Sequence, residues 1–447
     1  RLAMDLATGS TAASLVQLGV VLLGAFENDV SRQVVRTLGL HSTLTIYALE
    51  AAGSYADPNA FYGDLARNTR GWGQVAALMA WTPLREEDRR WLLFTGIRNE
   101  VASDRAAALC LDKPDMAQAL VDAAQTAEGF PALSHALASA LCLRPLAEYE
   151  IALALTPPYV AQAAEQARTA LDLSALAAVD EGLSQARSWP AALRRSLRAQ
   201  TERALEGQRW LGVMQQALAR PEYPTPVLLR ALRALGWLPN FADFLPLLER
   251  APFDLAAAEF LLLEHPDAYA GPALPYLLKA LPEGWLSQGP QLIDKHALTE
   301  EDAPDLWVAY LLRAQRAAGR FEEGFCLSCL SSRFQEARRE ALENLREHRE
   351  AWSDAVPQAL QRAQATEPAP ALAQQMRRLL GEPAAPRAKE RRYVAAGPYV
   401  PRPRPQDATL GDSRITGTFL RDLTQVQGRL SAGAPLCLVP EGEAVAV

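Results

Sequence analysis

The chain has 447 residues and a formal net charge of −7. That balance disfavours a generic polyanion binder, because affinity for phosphates depends on clustered cations. Hydrophobic residues make up 49% of it, and no polar low-complexity tract is long enough for a mainly disordered protein. Leu and Ala dominate, Arg and Glu carry most of the charge, and Lys is scarce. These side chains lose little rotamer freedom in a helix, so an all-α chain is expected. The five cysteines, an odd number scattered along a long chain, point to a reducing, cytoplasmic setting and not to a disulfide framework.

In chain order, residues 12–26 form the one signal-like apolar stretch. It is shorter than the roughly 18 residues that a membrane span needs, so a buried helix is expected and no membrane contact. Asp29, Val30, Val34, Val35 and Leu38 next carry a helical pattern closed by Gly39, and a second helix is expected over 41–53. Between 145 and 220 the helices look longer and their boundaries are unclear. Four apolar stripes then follow at helical spacing: Leu228, Ala231, Leu232 and Leu235; Phe241, Phe244, Leu245 and Leu248; Phe253, Ala257, Phe260 and Leu261; Leu274, Leu277, Leu278 and Leu281. Gly236, Pro239, Pro252, Pro266 and Pro282 punctuate them, which predicts short antiparallel helices of about three turns. Such helices bury their faces only by stacking pair upon pair.

Near the C-terminus one helix reads Ala337, Arg338, Ala341, Leu342, Leu345, and the next opens Ala355, Val356, Pro357, Ala359, Leu360. A third runs from Ala371 and Leu372 to Leu379, Leu380 and Gly381, the glycine suiting a left-handed cap. These segments resemble HEAT repeats, and the helix over 29–39 with its successor looks similar. The stretch 26–111, with Gly71-Trp72-Gly73 and Arg90-Trp91, also resembles bacterial helical-repeat proteins without an assigned function. The resemblance implies a right-handed α-solenoid of antiparallel helix pairs (HEAT/ARM-like) over residues 1–382; it implies a fold and not an activity. Six prolines from Pro383 to Pro405 predict an extended linker over 383–410. Residues 411–447 are expected to hold one more helix, over 416–430, and a short β-like tail from Leu436 onward, either a small hairpin or a strand that pairs elsewhere.

No constellation for catalysis, metal or cofactor stands out. Cys326 and Cys329 make a C-x-x-C without two further ligands, inside an apolar helical run, so buried packing is expected. His41, His135, His265, His296 and His348 are far apart, and a structural corner role is expected of His265. Glu86-Glu87-Asp88 and Thr299-Glu300-Glu301-Asp302 sit where helix N-termini favour carboxylates and capping boxes. Gly71-Trp72-Gly73 is expected to be a turn, not a phosphate cradle. Trp72, Trp81 and Trp91 could line one groove, with core packing as the plainer role.

Two features suggest an interaction surface. Residues 187–233 hold nine Arg against three Glu, with Arg194, Arg195, Arg198, Arg203 and Arg209 near Trp210. The spacing of Arg194, Arg195 and Arg198 allows one basic ridge. Arg391, Arg392 and Tyr393, among prolines, form a second candidate contact. The reading that follows is a non-catalytic protein- or peptide-binding scaffold using the concave face of the array. One alternative is a nucleic-acid binder of the basic, glycosylase-like kind that HEAT-like solenoids include, resting on the Arg ridge. Another is a closed helical toroid acting on carbohydrate, which would need paired carboxylates at a central cleft.

Overall fold

A computed structural model describes residues 1–293 and 298–382, together with the strands at 437–438 and 445–446. The chain divides into two units, Arg1–Gly19 with Pro386–Val447, and Val20–Ala385. The fold is all-α. The helices begin with α1 (Leu2–Gly9), α2 (Ala13–Leu23), α3 (Asp29–Gly39), α4 (Thr45–Ala52), α5 (Pro58–Asn68) and α6 (Gly71–Ala80). Next come α7 (Glu86–Trp91), α8 (Ser103–Asp112), α9 (Ala117–Ala124), α10 (Gly129–Ala140), α11 (Ala152–Gln166) and α12 (Ala170–Gln185). They continue as α13 (Ala191–Leu205), α14 (Arg209–Ala219), α15 (Thr225–Leu235), α16 (Phe241–Arg250), α17 (Leu255–Ala258) and α18 (Pro266–Ala280). The last are α19 (Ala303–Ala317), α20 (Glu323–Cys329), α21 (Gln335–Glu347), α22 (Ala355–Thr366) and α23 (Pro370–Leu379). Among the described residues, no helix is long and apolar enough to cross a membrane.

Local chemistry sets many of these boundaries. The Asn28 side chain accepts the Ser31 amide at 3.0 Å and starts α3, and Asp57 caps α5, whose first residue is Pro58. At α12 the Thr169 hydroxyl accepts the Asp172 amide while the Asp172 carboxylate takes the Thr169 amide, a reciprocal capping box. Gly236 (φ +59°) and Gly381 (φ +77°) occupy the left-handed region just past α15 and α23. Beyond them the amides of Trp237 and Glu382 return to the carbonyls of Leu232 and Arg377, closing the final turns.

Within the larger unit, α4, α6, α8, α10 and α12 each pack against the next, and the row continues through α15, α17, α19, α21 and α23. In further series α9, α11 and α13 follow one another, as do α14, α16 and α18. Neighbours in the chain close the pairs, among them α3 with α4, α5 with α6, α18 with α19 and α22 with α23. Every strongly packed helix pair lies within three places along the chain. The span 145–220 blurs in the sequence because two helices, α13 and α14, stand between α12 and α15 where the alternation has one. Its helices α11, α12 and α13 run 15, 16 and 15 residues, longer than their neighbours as expected. Being flanked on both sides, α10 buries ten of its twelve residues, and its Ala, Ser and Gly content permits that close approach.

Three of the four apolar stripes point inward: Leu228, Ala231 and Leu232; Phe244 and Leu248; Ala257, Phe260 and Leu261 are all buried. The fourth is corrected. In α18 the buried face is Tyr269, Ala270, Ala273 and Leu277, while Leu278 is 51% exposed. Pro266 opens this helix instead of ending one, so the inward face is set one turn earlier. The helix expected over 41–53 is shorter, because 41–44 forms a hydrogen-bonded turn before α4. Gly71-Trp72-Gly73 is the first turn of α6, where Gly73 lies against Ser42 and Thr45, and not a free turn. The expected linker and the helix over 416–430 lie outside the described residues. In the tail, Cys437–Leu438 and Val445–Ala446 pair antiparallel, Cys437 opposite Ala446.

Buried polar groups link successive helices of the first row. Arg338 in α21 is fully buried and forms a two-point ion pair with Glu367, at 2.8 and 2.9 Å. Its remaining donors reach the carbonyls of Ser332, Arg333 and Gln291. Trp307 of α19 donates to the Asp254 carbonyl, and Asn344 of α21 to that of Leu312, so these contacts link neighbouring pairs.

Candidate interaction surface

The Arg-rich stretch is spread over three helices and largely engaged. On α13, Arg194 is half-buried and Arg195 exposed, and neither forms an ion pair among the described residues. Arg198, one turn on, reaches Asp180 and Glu202, each at 3.4 Å. Arg203 turns back onto the Ala199 carbonyl at 2.8 Å. Arg209 opens α14, with its guanidinium 4.7 Å from the Trp210 ring centre. Trp210 itself is fully buried, its indole N–H on the Ala204 carbonyl at 2.9 Å. As an interface anchor Trp210 is therefore corrected to a core residue: its indole is tied to the end of α13, and Arg209 lies over its ring. Arg233 forms a two-point pair with Glu264 and lies over Phe260. Arg391, Arg392 and Tyr393 lie outside the described residues.

The other candidates resolve into structural roles. Cys326 and Cys329 are buried in α20; burial pushes the Cys326 thiol up to about 12 and the Cys329 thiol well above its ordinary value. Thiols held protonated in this way are neither nucleophiles nor ready metal ligands. Among the described residues no group of three or more His, Cys, Asp or Glu could hold a metal ion. His265 sits between the rings of Phe260 and Tyr269, and His348 stacks on Phe321 at 4.7 Å. Burial opposes the charge of Asp88, but hydrogen bonds from Arg85 and Arg67 hold its carboxyl below the usual range. Arg67 also lies over both Trp81 and Trp91, whose rings meet edge to face at 5.7 Å. Trp72 stands apart, half exposed beneath Arg105.

Asp302 and Asp305 are two carboxylates bridged by Arg333 at 2.6 and 2.7 Å. Hydrogen bonds from Thr299 hold Asp302 low, whereas burial raises Asp305. Divergent carboxyls of this kind mark acid–base pairs in some enzymes. Here both oxygens of Asp305 are taken, one by Trp285 and one by Arg333, so the cluster is a clamp at the start of α19. Thr299 and Asp302 bond as the capping pattern predicts, except that the Thr299 hydroxyl donates to the carboxylate.

The structure adds a cleft that sequence reading did not find. About 350 Å³ opens beside Cys142, Arg144, Glu181, Gly182, Gln185 and Arg230, where the end of α10 meets α12 and α15. Arg230 donates to the Ala138 carbonyl at 2.8 Å and to Cys142 Sγ at 3.1 Å. Arg144 pairs with Asp112 at 2.6 Å and lies over Tyr149. Cys142 and Arg230 are 88 residues apart in the chain, and no spacing rule joins them.

Family models, curated proteins and solved structures were compared with the chain, and none matches. The site therefore speaks through its own geometry.

Proposed function

We propose that this protein is a non-catalytic binding scaffold: a right-handed α-solenoid of antiparallel, HEAT-like helix pairs that takes a protein or an extended peptide along its concave face. The observation that supports it is the locality of the packing. Helices meet neighbours up to three places along the chain, and among the described residues no strongly packed pair joins distant parts of the larger unit. Repeat arrays have this property because each repeat buries its face only against the next. Reactive groups that chemistry would need are instead tied into clamps, as at Asp305, Arg333 and Arg338. Closure of the array into a ring, which the carbohydrate reading needs, has no strongly packed helix pair to rest on among the described residues. Of the basic ridge that a nucleic-acid reading needs, Arg198 is paired with carboxylates, and Arg194 and Arg195 form no ion pair among the described residues.

The test is capture of the tagged full chain in lysate of its host, eluted in rising salt with a nuclease control. The scaffold reading expects one stoichiometric protein that stays bound at high salt and cross-links to the row from α4 to α23. Nucleic acid released at modest salt, and lost in an Arg194→Ala/Arg195→Ala variant, would contradict it.

A further inference from the structure

The cleft between α10, α12 and α15 has a chemistry that scaffolding does not use. Of the cysteines within residues 1–382, Cys110, Cys326 and Cys329 are buried, and Cys142 alone is exposed. Its sulfur accepts from the Arg230 guanidinium at 3.1 Å and lies at the wall of the 350 Å³ space. That volume falls within the range of small-molecule sites. Arg230 has no carboxylate partner among the described residues, and Glu181 lines the same cleft. An unpaired cation and an exposed carboxylate flanking a thiol are complementary to a zwitterion.

We propose that Cys142 is a thiol-modification site whose cleft takes a low-molecular-weight disulfide bearing amino and carboxylate groups. In the reaction Cys142 gives its proton to solvent and attacks one sulfur of that disulfide. The Cys142–sulfur bond forms as the reagent's own S–S bond breaks. The other half leaves as a thiolate and takes up a proton. The disulfide is the oxidant, so Cys142 ends as a mixed disulfide and the departing half is reduced to a thiol. Arg230 meets the ligand carboxylate and Glu181 its ammonium group. The adduct draws Arg230 off the Ala138 carbonyl, the contact by which α15 reaches α10, so modification is read out in the helix row itself.

The test uses the full chain carrying Cys437→Ser, treated separately with glutathione disulfide and with the uncharged 2-hydroxyethyl disulfide, and followed by intact mass and peptide mapping. One adduct is expected, on Cys142, forming about threefold to fivefold faster with glutathione disulfide. Arg230→Ala should erase that preference at unchanged helicity by circular dichroism. Because that variant also loses the Arg230–Ala138 contact, S-methylglutathione serves as a competitor in the unmodified Arg230 background, where it should slow the adduct. Reaction elsewhere than Cys142, no preference between the two disulfides, or no slowing by the competitor would overturn the proposal. None of these outcomes bears on whether the array binds a protein.

Discussion

Arg338 and His135 show how single side chains set the stability of a stack of short helices. Arg338 and Glu367 are a fully buried ion pair with every guanidinium direction used. Truncating one partner strands the other's charge, which costs about 3–5 kcal/mol, whereas apolar replacement of both removes the stranded charge. Arg338→Met should therefore unfold at markedly lower urea than the parent, and Arg338→Met/Glu367→Leu should recover most of the loss. A double variant no more stable than the single one would contradict this account. His135 lies in α10 with Nε2 unpartnered, and burial, reinforced by the nearby Arg98 charge, pushes its imidazole down to about 4. Between the ordinary 6.5 and that value the proton binds the unfolded chain and not the fold. The stabilisation is thus complete above pH 6.5 and is lost, by about 2–3 kcal/mol, as the pH falls toward 4. Urea titrations across that window should show the slope in the parent and a flatter one in His135→Gln; equal slopes would remove His135 from the explanation.

At the scale of the element, the spacing of small residues decides how near two helices come. A Cβ on Gly182 of α12 would stand 2.5 Å from the Leu146 Cβ, and neither atom is at the end of a flexible chain. Gly182→Ala should therefore cost about 1–3 kcal/mol through overpacking. Gly212, inside the exposed face of α14, has nothing within 4 Å of the added carbon. Gly212→Ala should instead stabilise by about 0.5–1 kcal/mol, because alanine loses less backbone freedom in a helix. Thermal melts of the two variants should move in opposite directions; shifts of the same sign would contradict the packing described. The helices themselves were largely legible, since apolar spacing with glycine and proline punctuation marks α15, α16 and α21 almost to their ends. Pro266 misleads because proline both ends helices and opens them, and only the neighbour of α18 decides which face turns inward.

For the whole molecule, sequence reading sees the repeat but not what the repeat brings together. The Arg ridge looked continuous because intervening helices are invisible in a charge count; Asp180, on α12, lies 18 residues from the Arg198 that it neutralises. Trp210 looked like an anchor because its composition is that of an interface residue, and burial is a property of α13 and α14 together. The cleft was hidden for the opposite reason, as Cys142 and Arg230 carry no local pattern at all. The binding reading rests on the claim that helices α3 to α23 hold together by local packing only, as in a repeat array. Hydrogen exchange of the full chain across a urea series, read helix by helix with mass spectrometry, tests that claim most directly. An array of this length should lose cooperativity, so that α4–α6 and α19–α21 give up protection at different urea concentrations while adjacent helices move together. A single transition shared by every helix from α3 to α23 would contradict it.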